Sequence, residues 1–273
     1  RGDREGAVHD FGRAIALDGA CSVALRHRAA LRLLEGDLAG ARADLDRAIE
    51  VAPGDAETRR QRALVAEQQG DLGAAIADLG AAIELVPDRA EWLLARARLR
   101  FEAGDRAGAL DDLDRALGLE PDSVQAILER ATGRMGVGRL EEALADADRA
   151  VELAPESPKA RLIRGSVHLT RRDLGAARAD LDAALEIDPR FADALRVRAM
   201  LRRASGDLAG AAEDLGRAAD ASAGDWQIRL EHGVVLAEAG RKDEAREALQ
   251  AALALAPSAE KPPIEARLRA LDR

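Results

Sequence analysis

Small apolar residues return along this chain at fixed intervals of 34 residues. In frames beginning at Ser22, the eighth position holds Ala29, Ala63, Ala97, Ala131, Gly165, Ala199 and Gly233. The twentieth holds Ala41, Ala75, Ala109, Ala143, Ala177, Ala211 and Ala245, and the twenty-seventh Ala48, Ala82, Ala116, Ala150, Ala184, Ala218 and Ala252. Between these two columns, the twenty-fourth position is Leu in every frame except at Ala147. Spacings of four and three put the last three columns on one helix face. Two helices approach closely only where both present small side chains, so each frame is expected to read helix, turn, helix, turn.

Punctuation supports that reading. The first turn of each unit carries Gly36-Asp37, Gly70-Asp71, Gly104-Asp105, Gly138-Arg139, Arg172-Asp173, Gly206-Asp207 or Gly240-Arg241, and an earlier copy stands at Gly2-Asp3. Pro53, Pro87, Pro121, Pro155, Pro189 and Pro257 end the second helices, with Ala223 the exception. A fixed period of this length marks stacked units, each completed by its neighbours.

These columns resemble tetratricopeptide repeats. The resemblance implies an all-α, right-handed superhelical α-solenoid of helix-turn-helix units running from residue 1 to 273. Its parts are a partial repeat over 1–21, full repeats over 22–55, 56–89, 90–123, 124–157, 158–191, 192–225 and 226–259, and a capping helix over 260–273 with Ile264, Leu268 and Leu271 on one face. The sequence departs from the family at its first aromatic position, which holds Leu25, Arg59, Leu93, Ile127, Arg161, Leu195 and Arg229. Pentatricopeptide arrays fit less well, because their unit is one residue longer.

Composition narrows the function. Ala, Leu, Arg and Glu suit helices, aromatics are 2% of residues, and Tyr is absent. The net charge of −9 does not supply the positive field that nucleic acids require. A single Cys21 makes no internal disulfide, and no apolar run is long enough to span a membrane, so the expected location is the cytoplasm. The four histidines lack metal-ligand spacing, and Lys159, Lys242 and Lys261 do not precede Ser or Thr as a P-loop needs. No catalytic residue, metal or cofactor is expected. Arg1-Gly2-Asp3, which matches an adhesion tripeptide, is read as a severed repeat turn, and the chain as a piece of something larger.

Two charged columns accompany the small ones. Position 7 is Arg28, Arg62, Arg96, Arg130, Arg164 and Arg198, then His232. Position 23 is Asp44, Asp78, Asp112, Asp146, Asp180 and Asp214, preceded by Asp10. These are expected to form a structural ion-pair ladder from each Asp to the next unit's Arg: Asp10 to Arg28, Asp44 to Arg62, and so on to Asp214 with His232. Pairing within each unit is the competing geometry, and it leaves Asp10 without a partner.

The resemblance also implies that first helices line a concave groove through positions 5, 9 and 12. The candidate partner-binding residues there are Leu94, Arg98, Phe101, Leu128, Thr132, Met135, Leu162, Ser166 and Leu169. Units 1 and 2 offer Arg26, Arg60 and Glu67 instead, and unit 6 Arg196, Met200 and Arg203. An apolar strip with Phe, Met and Arg has the make-up of a protein-binding site; the bland alternative is that these side chains pack on adjacent helices. The leading reading is a noncatalytic scaffold, part of a bacterial multidomain protein, that binds a peptide or partner segment. The alternative is a regulatory or substrate-recruiting arm of a kinase, peptidase or glycosyltransferase whose catalytic domain lies upstream. A homotypic contact through Phe11, Ile15 and Leu17 is a third possibility.

Overall fold

The computed structural model describes residues 4–271, so the Arg1-Gly2-Asp3 segment and its turn lie outside the described residues. The described residues form sixteen α-helices and one short 3-10 turn at Ser258–Glu260, with no strand. The chain divides into two compact units, one up to Gly133 and one from Arg134 on. The first contains α1 (Arg4–Leu17), α2 (Ser22–Glu35), α3 (Leu38–Val51), α4 (Ala56–Gln68), α5 (Leu72–Leu85), α6 (Ala90–Glu102), α7 (Arg106–Leu119) and most of α8 (Val124–Gly136). The second contains α9 (Leu140–Leu153), α10 (Pro158–Thr170), α11 (Leu174–Ile187), α12 (Ala192–Ala204), α13 (Leu208–Ala221), α14 (Trp226–Glu238), α15 (Lys242–Leu255) and α16 (Lys261–Leu271).

The turns inside the hairpins share a left-handed residue, and five of them add an aspartate cap, which Arg139 and Arg241 do not supply. At the α2–α3 turn, Gly36 adopts φ +81°, and the amides of Gly36 and Asp37 return to the carbonyls of Leu33 and Arg32. That closure satisfies the last carbonyls of the first helix and needs a left-handed residue. The Asp37 carboxylate then accepts from the Gly40 amide, capping the second helix, and Asp71, Asp105, Asp173 and Asp207 do the same. Arg172 occupies the left-handed position without being glycine, at φ 64°.

The small columns are the core. Ala41, Ala75, Ala109, Ala143, Ala177, Ala211 and Ala245 are wholly buried, as are Ala48, Ala82, Ala150, Ala184, Ala218 and Ala252. Leu25, Leu93, Ile127 and Leu195 fill the departed aromatic position and are equally buried. Where that position is Arg, the stem lies along the repeat and the guanidinium donates to a carbonyl six residues back: Arg59 to Pro53, Arg161 to Pro155 and Arg229 to Ala223. The last helix, α16, buries Ile264 and Leu271 and packs Leu268 against the core of the second unit. Its α-helical part starts at Lys261, after the 3-10 turn.

The α1 end differs from expectation. Ile15 is buried against Ala24, Leu25 and Ala48, and Phe11 is half-buried and stacks on His27 at 5.5 Å. Of the three expected residues, Ile15 is buried, Phe11 half-buried and Leu17 well exposed. Cys21 is a half-buried free thiol beside the same cluster.

Candidate functional site

The charged columns do form a ladder, but its rungs run differently. Asp44 takes a two-point contact from Arg28 at 2.8 and 2.5 Å, where the expected partner was Arg62. The same clasp joins Arg62 to Asp78, Arg96 to Asp112, Arg164 to Asp180 and Arg198 to Asp214. Pairing within the repeat therefore replaces the expected cross-repeat pairs in these units. Asp10 is exposed, and Asp214 is engaged by arginines in place of His232. The reason lies in the hairpin: position 7 on one helix and position 23 on its antiparallel mate face each other across the small columns.

The link to the following repeat comes from a column that the sequence reading passed over. Asp46, Asp114, Asp148 and Asp182 stand two residues after the Asp column, about 200° around the helix. They therefore face the next unit, where they accept from Arg62, Arg130, Arg164 and Arg198 at 2.6–3.1 Å. Gly80 replaces this Asp before Arg96, and Gly216 before His232. A second cation, four residues after the first and so on the same helix face, completes several rungs. Arg32, Arg100, Arg134 and Arg202 reach Asp44, Asp112, Asp146 and Asp214 at 2.7–3.0 Å. Both extra columns were visible at the 34-residue period.

The six carboxylates of the main column are 0–7% exposed. Hydrogen bonds to Asp44, Asp78, Asp180 and Asp214 raise the affinity of Arg28, Arg62, Arg164 and Arg198 for their protons, against the opposing effect of burial. The ladder's donors are thus spent inside the fold. Breaking such a buried pair costs about 3–5 kcal/mol because it strands the remaining charge.

Seven of the nine groove candidates are at least partly covered. Leu94 is 7% and Leu128 4% exposed, which corrects their place on an open strip. Phe101 is half-buried and lays its ring edge over Gly133 of the next first helix. Met135, Leu162, Ser166 and Leu169 are half-buried, and both leucines pack against the Ala177, Leu181 and Leu201 cluster. Thr132 and Arg98 are exposed, although Thr132 turns its hydroxyl back to the Leu128 carbonyl and Arg98 faces Glu129 at 3.5 Å.

The open first-helix surface lies in other repeats. In the first unit, α4 and α6 border a cleft of about 380 Å³ floored by Ala63, Leu64, Leu79, Trp92 and Ala95, with Glu57, Arg60, Glu67 and Glu91 around it. In the second unit, α12, α14 and α16 border a cleft of about 410 Å³ with Met200, Leu230 and Val234, flanked by Arg196–Glu231 and Arg203–Glu238 pairs and by Arg267. Leu64 and Met200, at position 9 of their repeats, are 36% and 59% exposed. A third cleft, of about 360 Å³, lies over α14 between α13 and α15, where His232 meets Arg229, Asp220, Glu244 and Glu247. Among the described residues no cluster of His, Cys, Asp and Glu is arranged to hold a metal ion, and no helix is long and apolar enough to cross a membrane.

Stacked helical hairpins with small-residue seams and open first-helix clefts define a repeat scaffold. A tetratricopeptide repeat model matches residues 33–100 and 134–202, and a second matches 196–260; the chain belongs to the tetratricopeptide repeat family. Its fold is similar to that of a tetratricopeptide repeat protein from Parabacteroides merdae, at 20% identity and a TM-score of 0.77 over 92% of this chain and 99% of that one. It is also similar to YrrB, described as a TPR protein with an unusual peptide-binding site, at 21% identity and a TM-score of 0.61 over 69% of this chain and 97% of that one. Yeast Tom70 aligns at 18% identity and a TM-score of 0.68 over 98% of this chain, which spans 58% of Tom70. No sequence among the curated proteins matches. Folds of this family generally mediate protein–protein interaction, typically as noncatalytic scaffolds.

Proposed function

We propose that this chain is a noncatalytic scaffold that binds a peptide or partner segment through the faces of its first helices. The observation that carries this reading is the pair of clefts with apolar floors that present Leu64 and Met200 to solvent, whereas Leu94 and Leu128, on first helices between them in the sequence, are covered. Exposed apolar surface bordered by charge is the composition of an interface. The ladder guanidiniums hold intramolecular partners, so they are structural in this reading. The peptide-binding site in the name of YrrB is consistent with it.

The test is selection of binding peptides from a displayed random library, followed by titration against Leu64→Glu and Met200→Glu. Each variant is expected to retain its helical signal, because both side chains are exposed. At least one variant is expected to lose binding tenfold or more, by roughly 1.4 kcal/mol or above. Unchanged affinity in both sinks the proposal.

A further inference from the structure

Resting on the scaffold reading, we infer that the cleft between α4 and α6 takes a basic, aliphatic segment of a partner protein. Its floor is apolar, and its volume falls within the roughly 300–1,000 Å³ of ligand clefts. Its rim is acidic: three carboxylates, Glu57, Glu67 and Glu91, stand against the single guanidinium of Arg60. That guanidinium is already spoken for, since Glu57 accepts from its Nε at 2.9 Å and from its Nη2 at 2.6 Å. Glu67 is exposed, and Glu91, with its side chain 69% exposed, holds only a long, solvent-exposed ion pair of 3.8 Å with Arg89, whose guanidinium stands over the Trp92 ring at 5.7 Å. Glu67 beside the apolar floor, and Glu91 by exchanging its exposed pair with Arg89, can therefore meet a partner's charge.

The occupant that matches is a segment with Lys or Arg next to Leu, Ile, Val or Met. The aliphatic side chain covers Leu64 beside the buried Trp92 ring, and the ammonium or guanidinium stands between Glu67 and Glu91. Long basic side chains suit such a site because their stems pack on apolar surface while their heads stay wet. The second unit's cleft at Met200 has the opposite bias, with Arg196, Arg203 and Arg267 against Glu231 and Glu238, so it does not share this preference. Charge complementarity contributes selectivity and encounter rate more than affinity. An acidic chain with net charge −9 is also a poor second copy to seat there.

The experiment uses the whole chain carrying Trp226→Phe, which leaves Trp92 as its one indole. Two synthetic peptides are titrated by Trp92 emission and by anisotropy of a fluorescent label: one of mixed Leu, Ala and Lys, and one with every Lys replaced by Glu. The Lys peptide is expected to bind about tenfold more tightly at low salt, to shift Trp92 emission, and to lose most of its preference at high salt. Glu67→Gln with Glu91→Gln, both on exposed side chains, is expected to weaken it about fivefold without changing the melting temperature. Equal binding of both peptides, indifference to the double substitution, or no movement of Trp92 emission overturns the inference. Library peptides that still depend on Met200 would then leave the scaffold reading standing, whereas failure of that selection removes the reading itself.

Discussion

Replacing Asp112 by alanine removes a carboxylate that is 1% exposed and that collects three charge-assisted hydrogen bonds. Arg96 supplies two, at 2.8 and 2.5 Å, and Arg100 one, at 2.9 Å. The Arg96 side chain is 11% exposed and that of Arg100 22%, so the first is stranded and the second can turn partly to water. Gly80 stands where other repeats offer Arg a second Asp, so Arg96 finds no replacement there. Stranding a buried charge costs about 3–5 kcal/mol, and the expected loss lies at the lower end of that range. Asp46→Ala, which removes a 45% exposed carboxylate from Arg62 but leaves Asp78 in place, is expected to cost about 1 kcal/mol or less. Replacing both members, Arg96→Met with Asp112→Leu, is expected to return to within about 1–2 kcal/mol of the parent, because neither charge is then left alone. Repeat arrays do not always unfold in one step, so the assay is native-state hydrogen exchange of α6 and α7 amides in low urea, read as a double-mutant cycle. A loss under about 1 kcal/mol for Asp112→Ala, or one equal to that of Asp46→Ala, refutes the reasoning.

Arg172→Gly is expected to raise stability by roughly 0.5–1 kcal/mol, measured by urea melts, because φ 64° strains any residue with a Cβ; a destabilised variant contradicts this. Gly133→Ala is expected to destabilise by about 1 kcal/mol or more despite alanine's helix propensity, since the new methyl meets the Phe101 ring and Leu110; a neutral or higher melting temperature counts against that packing. Burial, followed by the nearby Arg241, holds the His232 imidazole below its ordinary value of 6.5. The unfolded chain therefore takes up that proton first as pH falls, and stability present above about 6.5 is lost toward the lower folded value. His232→Gln should flatten this part of the melting-temperature profile, and identical slopes for parent and variant between neutral and mildly acidic pH would count against it.

The repeat was legible in the sequence because its signals are local. Gly36 and Asp37 carry their own turn and cap, and Ala41 and Ala48 mark the seam whatever surrounds the repeat. The rungs were harder to read, because Asp44 and Asp46 differ by two residues yet face opposite neighbours, and only the helix rotation assigns Arg28 to one and Arg62 to the other. Exposure of the first helices was least legible. It depends on what stands opposite each side chain: Phe101 finds Gly133 and lies down, while Leu64 stays open in a cleft it lines with the small Ala63 and Ala95. Leu94 and Leu128 share position 5 with Arg60 and Arg196, so position alone does not decide which side chains stay open.

Exposed apolar side chains also recur on the second helices, at Val51, Leu85 and Leu119, which gives a rival surface within the same unit. Hydrogen exchange of the chain with and without a saturating library-selected peptide separates the two. The expected result is protection concentrated on the first-helix segments around Leu64 and Trp92 or around Met200 and Leu230. Protection confined to the second-helix ends around Val51, Leu85 and Leu119, with those first-helix segments unchanged, would contradict the account.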